Sequence, residues 1–160
     1  MPRLSDRRDA HVRCSMHVPV RRTLLMGSVL VVDDDADARE ALSRYLMKAG
    51  HAARTARNGR EALIAVATTI PDVILLDARM PEMSGLEFLK VIRSYLRWST
   101  LPVILLTAYP DDLPLERAHE LGVKMIYVKT TYRMADLLEC VQRLLADPTA
   151  RCEGMRITGA

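Results

Sequence analysis

Residues 73–89 read VILLDARMPEMSGLEFL. Four apolar residues run without interruption up to Asp77, a turn-forming stretch with Pro81 follows, and helical apolar spacing opens after Ser84. A run that is apolar at every position fits a strand buried on both faces, because a strand with one face in water would alternate. A helix placed directly after such a strand is the repeating unit of a parallel sheet covered by helices.

The same unit recurs in both directions along the chain. Apolar runs at 29–32, 73–76, 103–106 and 125–128, with a weaker one at 52–55, alternate with segments of helical period. The first helix carries Ala38, Ala41, Leu42, Tyr45, Leu46 and Ala49 on one stripe and is ended by Gly50. The last carries Met134, Leu137, Leu138, Val141, Leu144 and Leu145. Three more are predicted over 58–68, over 84–97 with Ser84 as N-cap, and over 115–121 before Gly122. Five strand–helix units predict a doubly wound α/β fold, a five-stranded parallel sheet with helices on both faces.

The chain has 160 residues, 49% apolar and 27% charged, which is one domain of ordinary size and excludes low-complexity disorder or a disulfide-stapled miniprotein. Its net charge of +3, from 23 Lys and Arg against 20 Asp and Glu, is unevenly spread. Residues 1–27 hold six Arg against Asp6 and Asp9, a net of +4, which leaves 17 basic and 18 acidic residues over 28–160. Residues 1–27 read as a basic leader, disordered or upstream of the true start, 28–146 as the domain, and 147–160 as a short flexible tail. Six Arg without interleaved aromatics are a weak footprint for nucleic acid, which is not expected as a partner.

No apolar run approaches the ~20 residues of a membrane helix. Arg21-Arg22 ahead of a short apolar stretch resembles an export signal, but three Asp follow and no small-residue cleavage site does. A cytoplasmic location is expected. Cys14, Cys140 and Cys152 lack Cys-x-x-Cys spacing and suggest neither a disulfide framework nor zinc. His11, His17, His51 and His119 lack ligand spacing and are read as surface or linker residues.

In a doubly wound sheet, ligands bind where loops leave the carboxyl ends of the strands. Asp33, Asp34 and Asp35 follow the first run, Asp77 the third, Thr107 the fourth and Lys129 the fifth. Taken singly, Asp35 is an N-cap, Asp77 a turn residue, Thr107 a strand end and Lys129 a solvated cation. Taken together they are hard to explain structurally. Clustered carboxylates raise one another's pKa unless a cation neutralises them, and a few hard oxygen ligands suit Mg²⁺. A lysine beside them balances one charge and can bind a phosphoryl oxygen as a point charge.

The strings VLVVDDD (29–35), VILLDARMPEMSGLEFL (73–89), PVILLTAY (102–109) and YVK (127–129) resemble, in order and spacing over 28–146, the receiver domain of bacterial two-component response regulators. The resemblance implies a flavodoxin-like, three-layer fold. It implies Asp33 and Asp34 as an acidic pair holding Mg²⁺, Asp77 as phosphoacceptor and further ligand, and the main-chain carbonyl of Arg79 as another. It makes Thr107 the switch hydroxyl and Lys129 the phosphate-binding lysine, with Met80-Pro81 and Ser84-Gly85 shaping the acceptor loop. The implied chemistry is attack by Asp77 on a phosphohistidine of a sensor histidine kinase or histidine phosphotransferase, giving an acyl phosphate. Thr107 then moves inward and shifts the face built from the fourth helix, fifth strand and fifth helix, where a homodimer could also form. Such a protein catalyses its own phosphorylation and slow dephosphorylation and is a switch, not a metabolic enzyme. Only fourteen residues follow Ala146, so a stand-alone receiver acting by protein contact on a downstream target is expected.

Two positions depart from the family pattern. Thr130 stands where Pro usually follows the lysine, and Ile126 where Tyr or Phe is usual. Tyr127 should point to the opposite face by strand alternation, so coupling from Thr107 is expected to differ. Arg79 and Tyr109 are expected at the entrance to the site, tuning phosphoryl lifetime; the alternative is simple exposure. Two other functions stay open. One is a pseudo-receiver that binds partners without phosphorylation, suggested by Thr130 and Ile126. The other is a phosphatase resembling the haloacid-dehalogenase superfamily, with Asp33 and Asp35 as its acidic motif. Against the second, Asp37 stands where Thr or Val is wanted, Asp111-Asp112 precedes Lys129 rather than following it, and Asp77 is left without a role.

Overall fold

The computed structural model describes residues 26–150; the readings of residues 1–25 and 151–160, with His11, His17, Cys14 and Cys152, lie outside them. The elements alternate along the chain as β1 (Ser28–Val32), α1 (Ala36–Lys48), β2 (Ala52–Ala56), α2 (Gly59–Thr68), β3 (Val73–Asp77), α3 (Gly85–Ser94), β4 (Val103–Thr107), α4 (Leu115–Glu120), β5 (Met125–Val128) and α5 (Met134–Ala146). All strand pairings are parallel, in the order β2-β1-β3-β4-β5. The strand order reverses direction between β1 and β3, which is where a doubly wound sheet opens its ligand crevice.

Strand alternation divides the core into two layers. On one face Leu30, Val32, Ile74, Leu76, Leu105 and Ile126 pack against α2, α3 and α4 through Val66, Phe88, Ile92 and Ala118. On the other, Val31, Leu75, Leu106 and Tyr127 pack against α1 and α5 through Leu42, Leu46, Val141 and Leu144. Every residue of β3 and β4 is buried, as their unbroken apolar runs require. Each such Leu, Ile or Val contributes roughly 1.5–3 kcal/mol by leaving water.

Helix starts follow side-chain capping. Asp35 accepts from the amides of Asp37 and Ala38 at 2.9 and 3.3 Å. Asn58 accepts from Glu61, so α2 begins one residue later than the periodicity suggests. Ser84 and Glu87 form a reciprocal capping box at the start of α3. The predicted helix over 84–97 stops at Ser94. There the Arg93 guanidinium donates to the carbonyls of Leu121, Trp98 and Leu101 at 2.7, 3.2 and 2.9 Å, folding the segment after α3 back toward β4.

His51 corrects an expectation. It is buried, and its Nδ1 accepts from the Gly27 amide at 3.4 Å, tying the chain ahead of β1 to the start of β2. Desolvation holds its pKa below 6.5, consistent with an acceptor nitrogen. Cys140 is buried in α5, while His119 is exposed as expected. Among the described residues no helix is long and apolar enough to cross a membrane.

Candidate functional site

Parallel register builds the centre of the site. Val32 pairs with Leu76 across β1 and β3, so the next residues, Asp33 and Asp77, leave the sheet side by side. Thr107 pairs with Val128 across β4 and β5, which brings Lys129 out one residue further on. The Lys129 amide donates to the Thr107 carbonyl at 2.8 Å and extends that ladder. The ammonium of Lys129 then lies 2.7 Å from Asp33 Oδ2 and 2.8 Å from Asp77 Oδ2.

Both carboxylates are buried, Asp33 at 0% and Asp77 at 5% exposure, whereas Asp34 beside them is exposed. Asp33 Oδ1 accepts from the Asp35 amide at 3.0 Å. Its Oδ2 has no hydrogen-bond donor of regular geometry and rests on the charge of Lys129. Asp77 Oδ1 accepts from the Arg79 amide at 3.2 Å. Burial raises the Asp77 pKa, with the Asp33 charge acting in the same direction; Lys129 and the Arg79 amide pull the other way and lose. For Lys129, burial favours the neutral amine, but the bonds and charges of Asp33 and Asp77 outweigh it and the pKa rises.

Oxygens of Asp33, Asp34 and Asp77 lie within 4.8 Å of one another. Three carboxylates face one ammonium, the buried Asp33 Oδ2 is met by that ammonium alone, and the exposed Asp34 leaves the cluster open to solvent. This donor set fits Mg²⁺, which takes one or a few carboxylates and keeps waters.

Thr107, one residue beyond Leu106, the β4 partner of Asp77, is buried at 1% exposure, and its Oγ1 accepts from the Tyr109 amide at 3.1 Å. It lines a cleft of about 320 Å³ together with Ala78, Arg79, Ser84, Tyr109 and Asp112. The Arg79 guanidinium leaves Asp77 and crosses this cleft, 3.0 Å from Asp112 and 4.9 Å from the centre of the Tyr109 ring. Arg79 and Tyr109 are therefore joined in one contact, with Asp112 as a third member that the sequence reading did not connect to them.

One supporting residue, Arg39, escaped the sequence reading, and for Gly85, expected only as part of a loop-shaping turn, the close approach to β3 did. Arg39, four residues after the N-cap Asp35, donates from Nη1 to the carbonyls of Asp33 and Asp34 at 2.6 and 3.3 Å and fixes the acidic loop from behind. Gly85 sits so close to the end of β3 that a Cβ there would lie 2.3 Å from the Asp77 carbonyl oxygen. Its amide donates to the Ala78 carbonyl at 3.1 Å, so α3 starts directly against the strand end that carries Asp77. Between them Glu82 takes φ 66°, an uncommon conformation for a non-glycine residue.

The sequence profile of the response regulator receiver domain matches residues 29–142. The chain is 39% identical over 120 residues to the DNA-binding transcriptional regulator NtrC of Salmonella typhimurium, covering 75% of this chain and 25% of that protein. It is 44% identical over 122 residues to the response regulator MprA of Mycolicibacterium vanbaalenii, covering 76% and 51%. The chain thus spans a quarter to a half of the length of these curated relatives. Among solved structures it is similar to the chemotaxis response regulator CheY4 of Vibrio cholerae, with a TM-score of 0.68 and 34% identity over 74% of this chain and 98% of that one. It is similar also to a response regulator receiver protein from Pseudomonas putida, with a TM-score of 0.67 and 32% identity over 74% and 97%.

Proposed function

The chain belongs to the response regulator receiver-domain family, and on that premise we propose that Asp77 accepts a phosphoryl group from a phosphohistidine of a partner kinase or phosphotransferase. A carboxylate oxygen of Asp77 attacks phosphorus; the O–P bond forms as the P–N bond breaks, and the imidazole leaves. Lys129, already 2.8 Å from Asp77 Oδ2, offsets negative charge on the transferring oxygens. Asp33, Asp34, Asp77 and the carbonyl of Arg79 would hold Mg²⁺, which when bound supplies further charge neutralisation and orients the phosphoryl oxygens. Arg39 and Gly85 keep the acidic loop and the acceptor strand end in fixed relation. The Thr107 hydroxyl, which accepts from the Tyr109 amide two residues on, is the group that would donate to a phosphoryl oxygen after transfer. Arg79, Asp112 and Tyr109 stand across the adjoining cleft and screen the approach of water.

The observation that carries this reading is the meeting of Asp33, Asp77 and Lys129 at the ends of three strands, two buried carboxylates on one ammonium. Incubation of the full chain with acetyl phosphate and Mg²⁺, read by intact mass, is expected to give one phosphoryl adduct that is absent in Asp77→Ala. No adduct with small-molecule or phosphohistidine donors would favour the pseudo-receiver. Turnover of a phosphoester that depends on Asp33 and not on Asp77 would favour the phosphatase.

A further inference from the structure

β5 carries two alternating rows of side chains, and the residues above Lys129 differ sharply between them. Ile126 faces α4, at 1% exposure, in the layer that holds Leu105, Ala118 and Leu115. It offers that helix a branched alkyl group and no polar atom. Tyr127 lies in the opposite layer with Leu137 and Val141 of α5. It shares its strand face with Lys129, two residues on.

Tyr127 reaches α5 at its first turn. Its hydroxyl donates to the Asp136 carbonyl at 3.1 Å, and its ring meets that of Tyr132 at 5.7 Å between centres, inclined by 50°. Tyr132 closes the turn that begins at Lys129: the amides of Thr131 and Tyr132 donate to the Val128 carbonyl at 3.0 and 3.1 Å. The N-cap of α5 is Arg133, whose side chain makes no capping bond to the helix amides. The start of α5 is therefore anchored from β5 by a tyrosine hydroxyl and a ring pair, and the same short turn carries the lysine that bridges Asp33 and Asp77.

We propose that the state of Asp77 is transmitted through Lys129, Tyr132 and Tyr127 to the first turn of α5, and that this turn, not α4, is the segment of the chain whose conformation reports it. The inference rests on the phosphoacceptor reading of Asp77. Phosphorylation places the group's oxygens beyond the carboxylate, so the ammonium that contacts Asp33 and Asp77 is drawn outward toward a phosphoryl oxygen with its remaining donor. The hydrogen-bonded turn at 128–132 passes the shift of the lysine backbone to the ring of Tyr132. The ring pair and the Tyr127 hydroxyl then pull on an α5 terminus whose amides have no side-chain cap and whose first turn is otherwise held by the exposed Arg133–Asp136 pair at 2.9 and 3.1 Å. Ile126, packed tightly and without a hydroxyl, gives α4 no corresponding handle.

The test is amide hydrogen exchange of the full chain with and without acetyl phosphate and Mg²⁺, with the adduct followed by intact mass in the same samples. Exchange over 133–138 is expected to change several-fold on phosphorylation, with a smaller change over 115–121. Tyr127→Phe, which keeps the ring, and Tyr132→Leu should still form the adduct but lose most of the difference between the two states at 133–138. A purely structural role would instead raise exchange equally in both states and overturn the proposal. So would an adduct whose effect is confined to 115–121. Absence of an adduct in the unmodified chain would overturn the phosphoacceptor reading and this inference with it.

Discussion

Asp77 occupies a place where its own charge is disfavoured, and that sets a measurable conflict between stability and the proposed chemistry. Burial, helped by Asp33, lifts its pKa above the ordinary 3.8 despite Lys129 and the Arg79 amide. Between the unfolded value and the raised folded value, the folded state holds more protons than the unfolded one. Stability from this group therefore falls as pH rises through that window, and the whole penalty is present above it. Asp77→Asn removes the charge and leaves an oxygen for Lys129. At pH 7 it is expected to raise the urea midpoint by the equivalent of about 0.5–2 kcal/mol, with the gain vanishing at a pH below the unfolded carboxylate range. A midpoint unchanged or lowered at pH 7 would show that the Lys129 pair outweighs burial. Asp77 itself was legible in the sequence because it directly follows an unbroken apolar run. His51 was not: its partner is an amide 24 residues away, and nothing in its immediate neighbours marks it as buried.

At the scale of elements, positions set by local chemistry were read correctly and positions set by distant backbone were not. Asp35 and Ser84 cap their helices through amides two or three residues ahead, so their roles are written in the adjacent sequence. The end of α3 was read three residues too late, because the Arg93 clamp on the Trp98, Leu101 and Leu121 carbonyls depends on the folded path of two later segments. Gly85 belongs between these cases. Its pairing with Ser84 is visible as a turn signal, while its closeness to Asp77 exists only in the folded chain. A methyl group there would meet backbone on both sides, the Asp77 carbonyl oxygen at 2.3 Å and the Ala78 Cα at 3.1 Å, neither of which can rotate away. Gly85→Ala is therefore expected to cost about 1–3 kcal/mol in unfolding experiments and to slow formation of the Asp77 adduct in acetyl phosphate, since the strand end must shift to make room. A variant that loses no stability and keeps the adduct rate would show that α3 and β3 can separate freely.

For the whole molecule, the net charge of +3 points away from the charge that matters at the site. The basic excess lies in residues 1–27, whereas the crevice at the strand order reversal gathers three carboxylates against one lysine. That arrangement exists only in the folded chain, because Asp33, Asp34 and Asp77 are brought within 4.8 Å by the β1–β3 register. The alternating apolar runs made the sheet legible and placed each site residue at a strand end; which oxygen faces which cation was set by side-chain geometry that periodicity does not carry. A cation that binds this cluster binds the folded state alone, so it stabilises the whole domain by mass action. At a Mg²⁺ concentration ten times its Kd the gain is about 1.4 kcal/mol, a rise of a few degrees in Tm for a domain of this size. Thermal unfolding in MgCl₂ against NaCl of equal ionic strength should show that rise. Asp34→Asn, at an exposed position with no packing role, should fold with nearly unchanged Tm in NaCl and lose most of the Mg²⁺ increment. If Mg²⁺ raises the Tm of Asp34→Asn as much as that of the unmodified chain, the ion acts elsewhere, and the buried Asp33 and Asp77 are balanced by Lys129 alone.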